Sequence, residues 1–109
     1  MHRDHAIFIT ALEERAKVRL TFFSKEDGHA IVRTCAPMDY GPSRRAHDKS
    51  DRYHLWDYDS DQARHTLSLL ANQIGSIERL EEPFDPAEFV TWSLVEHPWF
   101  YPRDWGAYS

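Results

Sequence analysis

The chain has 109 residues, of which 41% are hydrophobic and 14% aromatic, and its formal net charge is −5. This length and composition predict one folded domain and exclude both a disordered tail and two separate domains. No apolar run approaches the roughly 20 residues of a membrane helix, and the first residues lack the apolar segment of a secretory signal. A single cysteine, Cys35, allows no internal disulfide. We therefore expect a cytoplasmic protein with no membrane partner.

The negative charge belongs to the C-terminal part of the chain. Residues 1–65 carry 11 Lys/Arg and 11 Asp/Glu, a net charge of 0, whereas residues 66–109 carry 2 and 7, a net charge of −5. This acidity disfavours non-specific binding to a phosphate backbone. It leaves one local basic patch, in which four cations fall within nine residues: Arg44, Arg45, Lys49 and Arg52.

The first residues predict a helix. Asp4 is a suitable N-cap, and the helix is expected to continue to about Lys17. Four apolar residues follow helical spacing and form one stripe: Phe8, Ile9, Leu12 and Ala16.

Five short strands are predicted to follow the helix. Period-two alternation predicts a strand over 18–24, and Asp27-Gly28 supplies a hairpin turn to a return strand over 30–36, which Pro37 should end. A polar loop over 41–51 comes next. The remaining predicted strands are 52–58, 66–70 and 74–80, with a turn at Asp59-Ser60-Asp61 and a helical turn over 67–73 as the alternative to the fourth strand.

The C-terminal part predicts a short helix and an aromatic tail. Asp85 and Glu88 flank Pro86 as in a capping box, so a helix is expected over 86–96, before Pro98. Five aromatic side chains follow in the tail: Trp99, Phe100, Tyr101, Trp105 and Tyr108. We expect the tail, residues 99–109, to pack on the barrel or on a neighbouring subunit. The element order predicts a mainly β (α+β) fold, a small antiparallel barrel or rolled sheet with helical additions.

Three segments resemble the WYL domain, a small SH3-like β-barrel of bacterial regulators. They are Arg33-Thr34-Cys35-Ala36-Pro37, Tyr53-His54-Leu55-Trp56-Asp57-Tyr58-Asp59 and Glu82-Pro83-Phe84. The resemblance covers residues 5–90 and implies an SH3-like barrel within a single domain, residues 1–98. It also implies binding of an anionic ligand or nucleic acid. Gln73 stands where the family usually has an arginine, and the usual N-terminal helix-turn-helix is absent.

The basic loop and the third strand supply the candidate ligand-binding residues. Guanidinium groups suit phosphate and nucleotide anions, and a half-buried aromatic can stack on a planar ligand or a base. The predicted ligand contacts are Arg44, Arg45, Arg52 and Trp56. Two alternatives remain open: the loop is only a solvated charged segment, or Trp56 is covered by the N-terminal helix or the tail.

Other chemistry has less support in the sequence. The histidines at 47, 54 and 65 match no metal-ligand spacing, and no cofactor motif is present. Asp57 and Asp59 share a strand face, but Asp59 is expected in a turn, and Cys35 lies in an apolar strand without an adjacent histidine. We therefore predict no catalytic residues, no metal and no cofactor.

The functional expectation is a non-catalytic domain that binds a small anionic ligand or single-stranded nucleic acid. The alternative from another class is a structural or interaction protein that forms a homodimer through its aromatic tail. A third alternative is a metal-assisted hydrolase.

Overall fold

The computed structural model describes residues 1–59 and 65–109. One helix precedes five strands: α1 (His5–Glu14), β1 (Ala16–Ser24), β2 (His29–Pro42), β3 (Asp51–Asp57), β4 (Thr66–Leu69) and β5 (Ile74–Pro83). The strands form one antiparallel sheet in the order β4-β3-β2-β1-β5. The predicted mainly β fold with five strands and an N-terminal helix is confirmed.

The predicted barrel is not closed. The strand order places β4 and β5 at opposite edges of the sheet, and no pairing joins them within the described residues. A single 3-10 turn, Ala71–Gln73, connects the two edges. The architecture is therefore a curled sheet with one helix packed against β1, β2 and β5.

The helix is shorter than its apolar stripe predicts. It ends at Glu14, because Arg15 adopts a left-handed conformation with φ 56° and ψ 46°. Ala16 then begins β1, so Lys17 belongs to a strand, where its ammonium lies 2.6 Å from the Glu82 carboxylate. Asp4 occupies the N-cap position without capping the helix, since its carboxylate accepts the Ile77 N–H at 3.0 Å.

The second strand continues past Pro37, where the sequence predicts its end. It reaches Pro42, and the pairing with β3 shifts by one residue between Pro37 and Asp39. Pro37 pairs opposite Leu55 next to this irregularity, which is where a sheet tolerates the missing N–H of a proline. The bulge brings Asp39 opposite His54.

The predicted C-terminal helix over 86–96 is not confirmed. The capping box forms, with Asp85 Oδ1 accepting the Ala87 N–H at 3.0 Å and Glu88 closing it, but only a 3-10 turn follows, Pro86–Glu88. Residues 84–109 instead form an irregular segment, named here the C-terminal arm. Part of the predicted turn at 59–61 lies outside the described residues.

One continuous cluster of buried apolar side chains makes the core. Helix α1 and the sheet contribute most of it, including Tyr53, which is 1% exposed. The C-terminal arm adds Phe84, Phe89 and Trp105, which are buried. The Trp105 indole N–H donates to the carbonyl of Leu12 at 2.8 Å, so the arm reaches the end of α1.

A buried ion pair fixes the arm on β2. The Arg103 guanidinium lies 3.0 Å from the Asp39 carboxylate, and its side chain is 0% exposed. It also donates to the carbonyl of Met38 and packs between the rings of Trp99 and Trp105, at 4.1 and 4.4 Å from their centroids. Asp39 further accepts the N–H groups of Phe100 and Tyr101, both at 2.9 Å. Side-chain and backbone bonds together set the path of the arm.

No helix in the described part of the chain is long and apolar enough to cross a membrane.

Candidate ligand-binding site

The loop between β2 and β3 is ordered by its own short-range hydrogen bonds. The Ser43 hydroxyl accepts the N–H groups of Arg45 and Ala46, both at 3.3 Å, and Asp48 accepts the Ser50 N–H at 2.9 Å. These side chains replace backbone pairing in a segment without regular structure. These hydrogen bonds therefore hold the backbone of the cationic residues in a defined conformation.

Two loop cations are held by backbone carbonyl groups. Arg44 donates to the carbonyl of Pro98 at 2.6 Å and lies over the Phe100 ring at 4.5 Å. The Lys49 ammonium donates to the carbonyl of Ser43 at 3.0 Å. A carbonyl satisfies a donor without neutralising its charge, so both positive charges remain available to an anion.

Arg45 is the most available of the predicted contacts. Its side chain is exposed and makes no hydrogen bond or ion pair with the described residues. It follows Arg44 directly and stands beside the exposed His47 on the same loop. An anion that approaches the loop would therefore meet Arg45 without displacing a partner seen in residues 1–59 or 65–109.

Arg52 lies at the start of β3 in a more enclosed setting. Its guanidinium is 4.0 Å from the Asp48 carboxylate, a loose ion pair, and the side chain is 19% exposed. Its Nε is buried and has no hydrogen-bond partner among the residues described. Arg52 therefore contributes positive charge at the base of the loop, with part of the guanidinium unsatisfied.

Trp56 lies four residues further along β3, on the same strand face as Arg52, because strand side chains alternate between the two faces with a period of two residues. It is half-buried, and its ring stacks on Phe89 of the C-terminal arm at 6.0 Å between centroids. One face of the indole is thus already covered within the chain. The structure brings Arg44, Arg45 and Arg52 to one end of β3 and places Trp56 away from them, beneath the arm.

The remaining chemistry-bearing side chains are engaged in structural contacts. Asp57 is buried and lies 3.4 Å from the Arg33 guanidinium, and Asp59 Oδ2 accepts the Thr34 N–H at 2.5 Å. Cys35 is buried, and burial together with the nearby Asp57 raises the pKa of its thiol. No group of three His, Cys, Asp or Glu side chains converges as a metal site in the part of the chain that the structure describes.

A histidine–tyrosine cluster at the N-terminal end of α1 was not predicted from the sequence. His5 Nδ1 lies 2.8 Å from the Tyr53 hydroxyl, which accepts the His2 backbone N–H at 3.0 Å. The ring of Tyr40 packs on both His5 and Tyr53. Burial raises the pKa of Tyr40, and Tyr53 and the Asp51 carboxylate raise it further. These residues come from three elements that only the fold brings together.

An open cleft of about 580 Å³ lies beside this cluster. Tyr40, Asp51 and residues 70–72 are among the residues that line it.

Comparison with known proteins gave no match. No family model matches the chain, and searches of curated proteins and of solved structures returned no significant similarity. The WYL-like interpretation therefore stays a prediction.

Proposed function

We propose that this chain is a cytoplasmic domain that binds a small anionic ligand, such as a nucleotide, at the β2–β3 loop and the start of β3, residues 43–52. The observation that carries the proposal is the ordered arrangement of four cations on the loop and the start of β3, with Arg45 exposed and Arg44 and Lys49 hydrogen-bonded to neutral carbonyl groups. Guanidinium groups with neutral partners keep their full charge for an incoming phosphate or carboxylate.

The charge distribution of the chain supports an anion at this place. Residues 44–52 carry four Lys/Arg and two Asp, a local charge of +2, in a chain of net charge −5. A positive patch on an acidic protein attracts a small anion locally, while the surrounding acidity repels a long polyanion. A nucleotide or another small phosphorylated molecule therefore fits better than extended single-stranded nucleic acid.

We also propose a WYL-like fold for the domain. We propose that the sheet is an open form of the SH3-like barrel. In it, β1 lies between β2 and β5 and pairs with both, and a 3-10 turn joins β4 to β5. The segments that resemble the family lie in β2, β3 and the end of β5. In this interpretation, the basic loop is the β2–β3 connection of the barrel.

The test is a fluorescence titration with ATP and with a short single-stranded oligonucleotide. Arg44 contacts both Pro98 and Phe100, next to Trp99, so anion binding at the loop should change tryptophan emission. We expect ATP to produce a saturable change, and Arg45→Ala to weaken the apparent affinity about tenfold or more, since one charge-assisted hydrogen bond contributes roughly 1.5–3 kcal/mol.

The matched control is Lys25→Ala, which removes one exposed cation from the distant β1–β2 turn. It should leave the affinity within about twofold, because only long-range charge changes. Equal weakening of the ATP affinity by both variants would mean that ATP responds only to the net charge of the protein. No response of the wild-type protein to any anion would remove the proposed function.

A further inference from the structure

Ser68 and His54 face each other across the β3–β4 pair. They occupy directly opposed register positions, and His54 Nδ1 lies 2.8 Å from the Ser68 hydroxyl oxygen. The other ring nitrogen, Nε2, lies 2.9 Å from the carbonyl of Gly41 on β2. A carbonyl oxygen only accepts, so Nε2 carries the proton and Nδ1 is free to accept the proton of Ser68.

This chain of contacts has the form of an activated nucleophile. A hydroxyl is bonded to an unprotonated imidazole nitrogen, and a third group on a neighbouring strand orients the ring. Gly41, which supplies the orienting carbonyl, is buried, and Phe100 of the arm packs directly above its Cα. Three adjacent strands hold the three groups, so the geometry does not depend on a mobile loop.

The surroundings of the pair suit an acyl substrate. Ser68 is exposed and belongs to an edge strand, so a carbonyl carbon can approach it from solvent. Arg52 and Trp56 flank His54 on the same face of β3, two residues to either side. Arg52 offers positive charge for a developing oxyanion, and the uncovered part of Trp56 offers apolar contact for an acyl or aryl group.

We propose that Ser68 is a nucleophile toward activated carboxylic esters, with His54 as its general base. The Ser68 oxygen forms a bond to the ester carbonyl carbon while its proton passes to His54 Nδ1. Collapse of the tetrahedral intermediate breaks the bond to the leaving oxygen, which takes the proton from His54 and departs as an alcohol. Water then attacks the acyl carbon while His54 accepts a proton from it, the bond between that carbon and the Ser68 oxygen breaks, and His54 returns the proton to the Ser68 oxygen. The products are one carboxylic acid and one alcohol per ester and water consumed.

The experiment treats the full chain with p-nitrophenyl acetate and, separately, with a fluorophosphonate probe. Intact mass and peptide mapping then locate any adduct. We expect modification of Ser68 with release of nitrophenolate, loss of the adduct in Ser68→Ala, and a labelling rate lowered at least tenfold in His54→Gln, because a positioned general base contributes about 10²–10⁴. Ser76→Ala, a half-buried serine on β5, is the matched control and should label at the wild-type rate.

Absence of an adduct on Ser68, or equal labelling of His54→Gln and the wild type, overturns the proposal. A second measurement uses the wild-type protein alone, in case a His54 variant is not folded. It compares Ser68 with the exposed Ser93, whose hydroxyl oxygen accepts a backbone N–H from Glu96 and has no imidazole partner in the described chain. Equal modification of the two serines would show that Ser68 has no special reactivity, and the proposal would fail.

Discussion

Asp39 is the side chain on which the C-terminal arm depends most. It accepts two arm N–H groups and pairs with Arg103, whose side chain is completely buried. Burial lowers the pKa of Arg103 to about 10, although the Asp39 carboxylate acts to raise it. Arg103 is thus a buried charge whose compensation depends on the Asp39 carboxylate.

We expect Asp39→Ala to lower the free energy of unfolding by about 3–5 kcal/mol, because it leaves a buried charge without its partner. Urea denaturation followed by tryptophan emission measures this loss. Adding Arg103→Met to the same chain should recover part of it, since the unpaired charge is then gone. Glu81→Ala, an exposed change on β5, is the control and should stay within about 0.5 kcal/mol. A loss no larger than that of the control would contradict the importance of the pair.

His5 should make stability depend on pH. Burial, and secondly the nearby α-amino group, lowers its pKa from the ordinary value of 6.5. Between the lowered folded pKa and 6.5 the unfolded chain binds more protons, so stability rises with pH in this window and is lost as the pH falls through it. The melting temperature should therefore decrease on acidification below 6.5, and less so in His5→Gln. His29→Gln, an exposed change in the hairpin, is the comparison; the same acid dependence in all three proteins would exclude His5 as the cause.

Single-residue predictions from sequence succeeded where local pattern determines the environment. Cys35 is predicted in an apolar strand and is buried there. The alternative expects the N-terminal helix or the tail to cover Trp56, whereas its stacking partner is Phe89, which belongs to neither. The Ser68–His54 contact has no local signal, because residues 14 positions apart meet only when the β3–β4 register is known.

At the scale of the elements, the junction between α1 and β1 carries avoidable strain. Arg15 has φ 56°, a left-handed conformation that costs a residue with a Cβ about 1 kcal/mol. The position cannot move, because the Arg15 carbonyl accepts the Phe84 N–H at 2.9 Å and so joins the helix end to the arm.

Arg15→Gly should therefore raise the free energy of unfolding by about 0.5–1 kcal/mol, since glycine adopts this conformation without a Cβ clash. Thermal and urea unfolding of the variant measure the gain. Arg15→Ala keeps the Cβ and should show none of it. Equal stability of the two variants would mean that the left-handed conformation is not a source of strain.

The elements that sequence patterns misplaced are those decided by distant contacts. The capping box at Asp85 forms as predicted, yet Phe89, Val90, Thr91 and Trp92 follow it, and β-branched and aromatic residues are weak helix formers. Phe89 packs against Trp56 and Trp105, and Trp92 packs against Trp99, in place of a helix. Pro37 likewise does not end β2, because a bulge accommodates it.

At the scale of the whole molecule, the packing of the arm bears on the alternative function, a homodimer formed through the aromatic tail. The indoles of Trp99 and Trp105 already make contacts within the chain, with Arg103 between them. The large aromatics of the tail are thus engaged, although Phe100 remains 43% exposed. Homodimer formation through the tail stays a prediction that sedimentation can test.

We expect the full chain to sediment as a monomer and a chain that stops at Pro98 to lose cooperative unfolding. Truncation removes Trp105 from the core and leaves Asp39 without Arg103. Analytical ultracentrifugation and circular dichroism of the two chains provide the comparison. A dimeric full chain with a folded, monomeric truncated chain would instead favour the interface function.

The sequence predicted the sheet because alternation, turns and caps are local, and it predicted the basic loop because charge is visible directly. It did not predict how the sheet is covered. The path of the arm depends on the Asp39–Arg103 pair and on packing against α1, and neither contact has a periodic signal.

The hydrogen bond from the Trp105 indole to the Leu12 carbonyl also affects the rate of folding, because it joins residues 93 positions apart. Contacts of such separation close slowly and form only after the nearer parts of the chain are in place. The hairpin of β1 and β2 can assemble early. The arm can pack only after α1 and the sheet have formed the surface that it covers. During synthesis the arm also leaves the ribosome after all five strands, so the sheet spends an interval with its aromatic face uncovered. That interval is when this protein is most exposed to aggregation and to chaperones.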